Sequence, residues 1–137
     1  MSSEQQLVIF ELGGQEYGLP IKETREIIRL AKVSKLPGAP AHMEGIINLR
    51  GSILPVINLS RLLDLPLSDQ EQDMRIIVAE HGDRKAGLIV GRVNEVGVYS
   101  EEELETPLAG DEARYIKAVI NKGNRLWLLL NLEKVFS

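Results

Sequence analysis

The sequence holds few residues of the types that carry out catalysis or bind metals. His42 and His81 are the only histidines, and neither has a second histidine at the spacing of a metal site. The chain has no cysteine, which excludes thiolate zinc sites, disulfides and cysteine nucleophiles. No serine lies in a nucleophile elbow, and no glycine-rich phosphate loop precedes a helix. We therefore expect no metal site.

The acidic residues do not single out an acid–base pair. The chain has 20 Asp and Glu residues, and paired catalysis needs two of them held at a defined separation. Glu11 and Glu80 occupy matching places in an internal repeat described below, which fits solvent-facing strand positions. We predict no catalytic residue, and hence a protein that is not an enzyme.

Charge and hydropathy narrow the classes of partner. The formal net charge is −4 and aromatic residues make up 4% of the chain, whereas proteins that bind single-stranded nucleic acid combine a basic groove with stacking aromatics. The first six residues lack a basic signal region, and the longest apolar runs are far shorter than the ~20 residues of a membrane helix. These features predict a cytoplasmic protein that binds no nucleic acid and does not insert into a membrane. The expected function is protein–protein interaction.

Short apolar runs separated by Gly and Asn turns dominate the sequence. Such pairs of runs are typical of β-hairpins, and three are present: 7–12 with 15–19, 75–80 with 85–90, and 118–120 with the run from 126. Helical candidates are few and short: one turn before a strand within 21–30, one turn at 41–44 and a short amphipathic segment at 59–63. The pattern predicts a mainly β protein.

Two blocks of the sequence repeat without gaps and in the same order. The first has a spacing of 69 residues, as between Gly18 and Gly87, and the second a spacing of 73, as between Asn58 and Asn131. Matched glycines and asparagines fit a shared scaffold, because glycine permits close backbone approach and asparagine satisfies turns.

The repeat defines two copies, at about 6–63 and 74–136, joined by a linker at 64–73. About 60 residues per copy suffice for a five-stranded barrel. We predict one all-β domain, at 6–136, of two pseudo-symmetric five-stranded SH3- or OB-like β-barrels that share a hydrophobic core. The repeat does not show which copy closes which barrel.

Positions that differ between the copies are candidates for function. Arg50 stands opposite Gly123, so the scaffold alone does not require a guanidinium there. Pro55 stands opposite Leu128, and a proline in a strand indicates an edge or a bulge. An edge strand is open to another chain.

The motifs of both copies match those of a known family. They are the runs 15–19 (QEYGL), 26–29 (EIIR), 45–59 (GIINLRGSILPVINL), 86–90 (AGLIV), 93–96 (VNEV) and 130–134 (LNLEK). From residue 6 to residue 136 the chain resembles the CheW coupling proteins of bacterial chemotaxis. The resemblance implies two five-stranded barrels around a shared core, with no catalytic activity and no cofactor.

The resemblance also implies partners and a location. The family links the regulatory domain of the histidine kinase CheA to the cytoplasmic tips of methyl-accepting chemoreceptors, in arrays at the inner face of the cell membrane. The receptor's helical hairpin is expected in a groove between the barrels. An adaptor of a non-flagellar chemosensory pathway, for surface motility or second-messenger control, is the alternative. The strands that meet the kinase are not identified.

Carried over by motif, four residues are predicted at the receptor-binding site. Arg50 and Glu26 match positions around the receptor-facing groove, and Thr24 and Gly45 match neighbouring positions where changes are associated with coupling defects. Each of the first two could instead be an internal brace, and Gly45 a packing position. Thr24 replaces the valine more usual in the family.

Overall fold

The computed structural model describes residues 4–67, 69–105 and 114–137, and these residues form mostly β-strands. The strands are β1 (Gln5–Leu12), β2 (Gln15–Pro20), β3 (Thr24–Arg29), β4 (Met43–Leu49), β5 (Ser52–Asn58), β6 (Arg75–His81), β7 (Arg84–Val90), β8 (Arg92–Tyr99), β9 (Leu104–Glu105), β10 (Ile116–Asn121) and β11 (Leu126–Leu130). The helices are α1 (Leu59–Leu62) and α2 (Leu132–Val135), with 3-10 turns at Ile21–Glu23, Glu71–Asp73 and Glu101–Glu103. The predicted mainly β fold with few short helices is confirmed.

The strands form two sheets, and each sheet takes strands from both copies of the repeat. Sheet 1 has the order β8-β1-β2-β11-β10-β9, and sheet 2 has the order β3-β6-β7-β5-β4. By the repeat spacings, β8, β1, β2, β11 and β10 correspond to β3, β6, β7, β5 and β4. The first five strands of sheet 1 therefore have the same order as the five strands of sheet 2. The halves are therefore interleaved: each contributes a hairpin to the sheet built mainly by the other.

The register of the two sheets obeys the same spacings as the sequence. The parallel pairing of β2 with β11 places Gly18 beside Leu129, and that of β5 with β7 places Gly87 beside Val56. At either glycine a Cβ would lie 2.8 Å from a side-chain carbon of the neighbouring strand, β1 or β6. A side chain at Gly18 or Gly87 would therefore have to displace the side chain of Leu7 or Ile76 from its place in the core.

The hydrophobic core has three parts. One cluster fills the inside of sheet 1 (Leu7, Ile9, Ile120, Trp127, Leu129), and its repeat counterpart fills the inside of sheet 2 (Ile47, Leu54, Val56, Ile76, Val78, Ile89). The largest cluster takes residues from both sheets. Within it Phe10 stacks on Tyr17 with ring centroids 5.7 Å apart, whereas the counterparts are Ala79 and Ala86. The predicted shared core is present, and it is asymmetric.

The asparagines of the repeat satisfy backbone groups at chain reversals. The side chains of Asn58 and Asn131 accept N–H bonds at the starts of α1 and α2. Those of Asn48 and Asn121 accept N–H bonds from Gly51 and Gly123 (2.9 Å each) in the turns that precede β5 and β11. These contacts fix the hairpin that carries Arg50.

Of the two alternatives predicted at Pro55, the edge strand is wrong, because β5 lies inside sheet 2 between β7 and β4. The β4–β5 pairing does contain a register shift nearby, between Met43 and Gly45. Opposite Pro55, Ile46 directs its N–H and its carbonyl to Ser34 (2.9 Å each). Ile46 and Pro55 therefore form a non-hydrogen-bonded pair, and the nitrogen of Pro55 faces β7. Pairing with β7 begins only at Val56, so the missing N–H breaks no ladder bond.

Part of the predicted linker contacts the sheets. The N–H of Gly13 donates to both carboxylate oxygens of Asp69 (3.2 and 3.3 Å), and Gly91 leaves room for this carboxylate because a Cβ there would lie 2.3 Å from its carbon. Ser68 lies outside the described residues. No helix among the described residues is long and apolar enough to cross a membrane.

Candidate partner-binding site

Arg50 lies in a two-residue hairpin turn that holds it in an unusual backbone conformation. Leu49 pairs with Ser52 across the β4–β5 hairpin, and the two intervening residues have positive φ, 51° at Arg50 and 90° at Gly51. Two positive φ values are typical of a type I′ turn, in which Gly, Asn and Asp are preferred. The backbone of an arginine is strained at this φ, and its side chain does not help to form the turn as Asn or Asp would. This combination indicates that the side chain of Arg50 has another role.

The guanidinium of Arg50 forms two hydrogen bonds to the carboxylate of Glu26 on β3. Nη1 donates to Oε1 at 3.2 Å and Nη2 donates to Oε2, so the contact is a two-pronged fork. The hydrogen bond from Arg50 lowers the pKa of Glu26 below its usual value. Because β3 and β4 are the outer strands of sheet 2, the pair joins the two edges of that sheet. The side chain of Arg50 is nevertheless 69% exposed, which leaves it accessible to a partner.

A corresponding carboxylate–guanidinium pair on sheet 1 joins β8 to the β10–β11 turn. Glu95, the counterpart of Glu26, accepts from Arg125 at 2.8 Å, and Arg125 also donates twice to Glu16 (2.8 Å each). Glu16 accepts a further bond from Asn94 at 3.0 Å. The hydrogen bond from Arg125 is the main reason why the pKa of Glu16 is lowered. A carboxylate–guanidinium pair between a strand (β3 or β8) and a hairpin turn of the same half (β4–β5 or β10–β11) is thus common to both halves, which supports a bracing role for Glu26 and Glu95.

Sequence comparison between the copies missed this correspondence. The repeat aligns Arg125 with Ser52, and Arg50 with Gly123, so the two arginines reach equivalent carboxylates from different positions of their hairpins. A search for arginines anywhere in the second hairpin would have found Arg125.

Further charged residues surround Glu26 on sheet 2. Arg25 donates to Glu80 through Nε at 3.0 Å, and this bond lowers the pKa of Glu80. Lys85 is opposite Glu80 in the β6–β7 register; its charge contributes to lowering the pKa of both Glu26 and Glu80. We call Arg25, Glu26, Arg50, Glu80 and Lys85 the sheet-2 charge cluster.

Thr24 and Gly45, the other two predicted site residues, are engaged within the fold. The hydroxyl of Thr24 donates to the carbonyl of Pro20 at 3.2 Å. Gly45 is buried with φ of 146°, and a Cβ there would lie 2.1 Å from the carbonyl oxygen of Ser34. They lie on β3 and β4, the same outer strands that the Arg50 pair joins. Gly45 offers no exposed side chain and acts by letting the chain at 33–34 pass over β4.

A cavity of about 730 Å³ lies between the end of α1 and the strands β2, β10 and β11 of sheet 1. Its lining is apolar with one carboxylate and one guanidinium (Tyr17, Leu62, Leu63, Asp64, Leu65, Arg114, Tyr115, Ile116, Leu128). The cavity thus lies between sheet 1 and the segment formed by the end of α1 and the residues after it, and none of its lining residues is on a strand of sheet 2. None of the four predicted site residues lines it, so the Arg50 pair and this cavity are separate candidate surfaces.

The histidine and carboxylate side chains of the described residues form no candidate metal centre. The described residues hold no group of three or more His, Asp or Glu side chains placed around a metal ion. The Nδ1 of His81 lies 2.5 Å from an oxygen of Glu23, which ties β6 to the turn before β3, and His42 uses its carbonyl to accept from Asn58 at 2.8 Å. Both histidines thus have structural contacts.

Comparison with known proteins gives consistent results. A sequence model described as the CheW-like domain matches residues 6–137. The chain is 34% identical over 139 residues to the chemotaxis protein CheW of Treponema pallidum, covering 96% of this chain and 82% of that protein. It is 36% identical over 84 residues to the protein PilI of Pseudomonas aeruginosa, covering 61% and 47%. The crystal structure of the scaffolding protein TtCheW from Thermoanaerobacter tengcongensis superposes with a TM-score of 0.92 at 31% identity, covering 98% and 89%.

Proposed function

The chain belongs to the CheW-like domain family, and from that membership we propose that it is a non-catalytic adaptor of bacterial chemotaxis. It couples the cytoplasmic tips of methyl-accepting chemoreceptors to the regulatory domain of the histidine kinase CheA. It does so in receptor arrays at the inner face of the cell membrane. Two relatives carry matching descriptions, one as a chemotaxis protein and one as a scaffolding protein.

The proposal that this chain binds the receptor rests on the exposed ion pair between Arg50 and Glu26. Arg50 has a positive φ in its hairpin turn, and its side chain is 69% exposed. The strained backbone conformation therefore places a guanidinium where solvent and a partner can reach it. The carboxylate holds the guanidinium in one orientation, and the N–H groups that do not bind Glu26 can donate to a receptor helix. Positioning of kinase and receptor on one rigid body raises their effective concentration toward each other.

A binding experiment tests this proposal. Purified chain is titrated separately with the isolated CheA regulatory domain and with a receptor cytoplasmic-tip fragment, and then with both, by isothermal titration calorimetry and size-exclusion chromatography. We expect each partner to bind alone and a ternary complex to elute ahead of either binary complex. Failure of the folded chain to bind both partners would contradict the partner assignment.

The similarity to PilI favours one alternative, an adaptor of a non-flagellar chemosensory pathway. That match covers 61% of this chain, and the fold is expected to be the same. The two functions are separated by partner choice: the chain is titrated with the CheA-type regulatory domains encoded in its own genome. Tighter binding to the kinase encoded beside flagellar genes supports the first function, and tighter binding to another kinase supports the alternative.

A further inference from the structure

The sheet-2 charge cluster and its repeat counterpart on sheet 1 carry opposite charge. The sheet-1 charge cluster consists of the four repeat counterparts Glu11, Glu16, Asn94 and Glu95, together with Arg125, which contacts Glu95 as Arg50 contacts Glu26. The sheet-2 cluster has three cations and two carboxylates, whereas the sheet-1 cluster has one cation and three carboxylates. Two surfaces built on the same backbone plan therefore attract different partners.

The key difference is at Lys85, which is replaced by Glu16 in the other copy. In the β6–β7 register Lys85 is opposite Glu80, and in the β1–β2 register Glu16 is opposite Glu11. Glu16 is fully engaged, since it accepts three bonds from Arg125 and Asn94. In the sheet-1 cluster the single arginine, Arg125, thus holds the carboxylates of both Glu16 and Glu95.

Lys85 is not engaged in the same way. Its two carboxylate neighbours are already bound, Glu26 by Arg50 and Glu80 by Arg25. Lys85 itself is exposed and forms no ion pair in the part of the chain that the structure describes. An ammonium has three donors and no internal group here that needs them. On a chain of net charge −4, this locally cationic surface is suited to a carboxylate.

We propose that the sheet-2 charge cluster binds an acidic helical segment of the partner, and that Lys85, with Arg50 beside it, determines this specificity by pairing with a partner carboxylate. The inference rests on the proposed function, in which that segment belongs to the receptor tip. The sheet-1 cluster, with Glu16 in place of Lys85, repels the same segment. Charge complementarity therefore selects one of two pseudo-equivalent surfaces.

Charge reversal and neutralisation at Lys85 test the proposal. Lys85→Glu and Lys85→Gln are titrated with the receptor-tip fragment by calorimetry at low and high NaCl, with Lys117→Glu as the matched control. Lys117 is exposed on sheet 1, so its variant has the same net charge as Lys85→Glu. We expect Lys85→Glu to bind about tenfold or more weakly, Lys85→Gln to lie between, and Lys117→Glu to bind within about twofold of the wild type. The salt dependence of binding falls in both Lys85 variants.

A second measurement separates this inference from the proposed function. Nuclear magnetic resonance titrations use an alanine-based helical peptide with glutamates along one face, and the same peptide with lysines instead. We expect only the acidic peptide to shift the amide signals of β3, β6 and β7. Such shifts without any binding of the receptor fragment would reject the proposed function and leave the inference standing. Receptor binding that is equal in the wild type and Lys85→Glu, or acidic-peptide shifts confined to other strands, would overturn the inference.

Discussion

At the scale of single residues, the pairs Glu26–Arg50 and Glu95–Arg125 show how one contact can serve two purposes. The Glu26–Arg50 pair joins the outer strands of sheet 2, and the Glu95–Arg125 pair joins β8 to the β10–β11 turn of sheet 1. Arg50 is 69% exposed, whereas Arg125 is 40% exposed and holds two carboxylates. An exposed pair contributes little to stability because solvent and salt screen it. Arg125 is therefore mainly a brace, and Arg50 is the better candidate for a partner contact.

Substitution of Arg50 separates binding from stability. We expect Arg50→Ala to weaken receptor-fragment binding by about tenfold with little change in melting temperature. Arg50→Gly removes the same side chain, and it also removes the strain of the positive φ of 51°, which glycine adopts readily. We therefore expect the same loss of binding, with a melting temperature equal to or above that of Arg50→Ala. Calorimetric titration and thermal unfolding provide the two readouts. A fall in melting temperature for both variants with unchanged affinity would identify Arg50 as a brace only.

The lowered pKa of Glu16 predicts a pH dependence of stability. Because its pKa in the folded state lies below the ordinary value of 4.5, the unfolded state binds more protons between the two values, and stability rises with pH there. The contribution is fully present above about 4.5 and is lost as the pH falls through the folded-state pKa. We expect urea unfolding of Glu16→Gln to show a shallower decline on acidification than the wild type. Parallel curves would contradict this role of Glu16.

At the scale of elements, the outer strands of the two sheets are covered differently. In sheet 1 the strand β10 is covered by the outer strand β9, whereas in sheet 2 the outer strand β4 is followed, among the described residues, only by the isolated bridge from Ser34 to Ile46. Gly45 permits that bridge, because a Cβ would collide with the carbonyl of Ser34. Its repeat counterpart, Ala118, carries a Cβ in the strand that β9 covers. The prediction that Gly45 is a packing position has a physical basis in this crossing.

Gly45→Ala tests the crossing at 33–34. The added methyl group would lie 2.1 Å from the carbonyl oxygen of Ser34, and an alanine is strained at the φ of 146° found here. We therefore expect a loss of roughly 2–4 kcal/mol in the free energy of unfolding. Ala118→Gly, the matched control, should lose only about 1 kcal/mol through backbone entropy. Urea denaturation followed by tryptophan fluorescence gives both values. Equal losses in the two variants would show that the crossing does not depend on a glycine.

At the scale of the whole molecule, interleaving makes the two halves depend on each other. Sheet 1 combines β1 and β2 of the first half with β8, β10 and β11 of the second, and sheet 2 is built in the reverse manner. The largest core cluster also takes residues from both sheets. A half alone would expose unpaired strand edges and most of its apolar surface.

Separated halves provide the test. We expect fragments 1–67 and 68–137, expressed singly, to show no cooperative unfolding transition, and an equimolar mixture to recover the β-sheet circular dichroism of the intact chain. Co-expression in one cell provides the control for fragments that aggregate singly. Cooperative unfolding of either fragment alone would show that a single copy forms a complete barrel.

The sequence by itself determined the local parts of this protein. The hairpins, the capping asparagines, the two repeat spacings and the mainly β class all follow from neighbours in the chain, whose turn chemistry and hydrophobic alternation are readable without a fold. The equivalence of Gly18 with Gly87 also predicted a shared scaffold, which the 2.8 Å approaches confirm.

Only the tertiary structure decided which strands of the two halves meet. The parallel pairs β2–β11 and β5–β7 join residues far apart in the chain, and turn chemistry does not encode such non-local pairs. The same pairings made β5 an inner strand despite Pro55, brought Arg125 to Glu95, and left Lys85 beside two carboxylates that other residues had already bound. The charge of each surface is therefore a property of the assembled sheets, because it depends on side chains contributed by both halves.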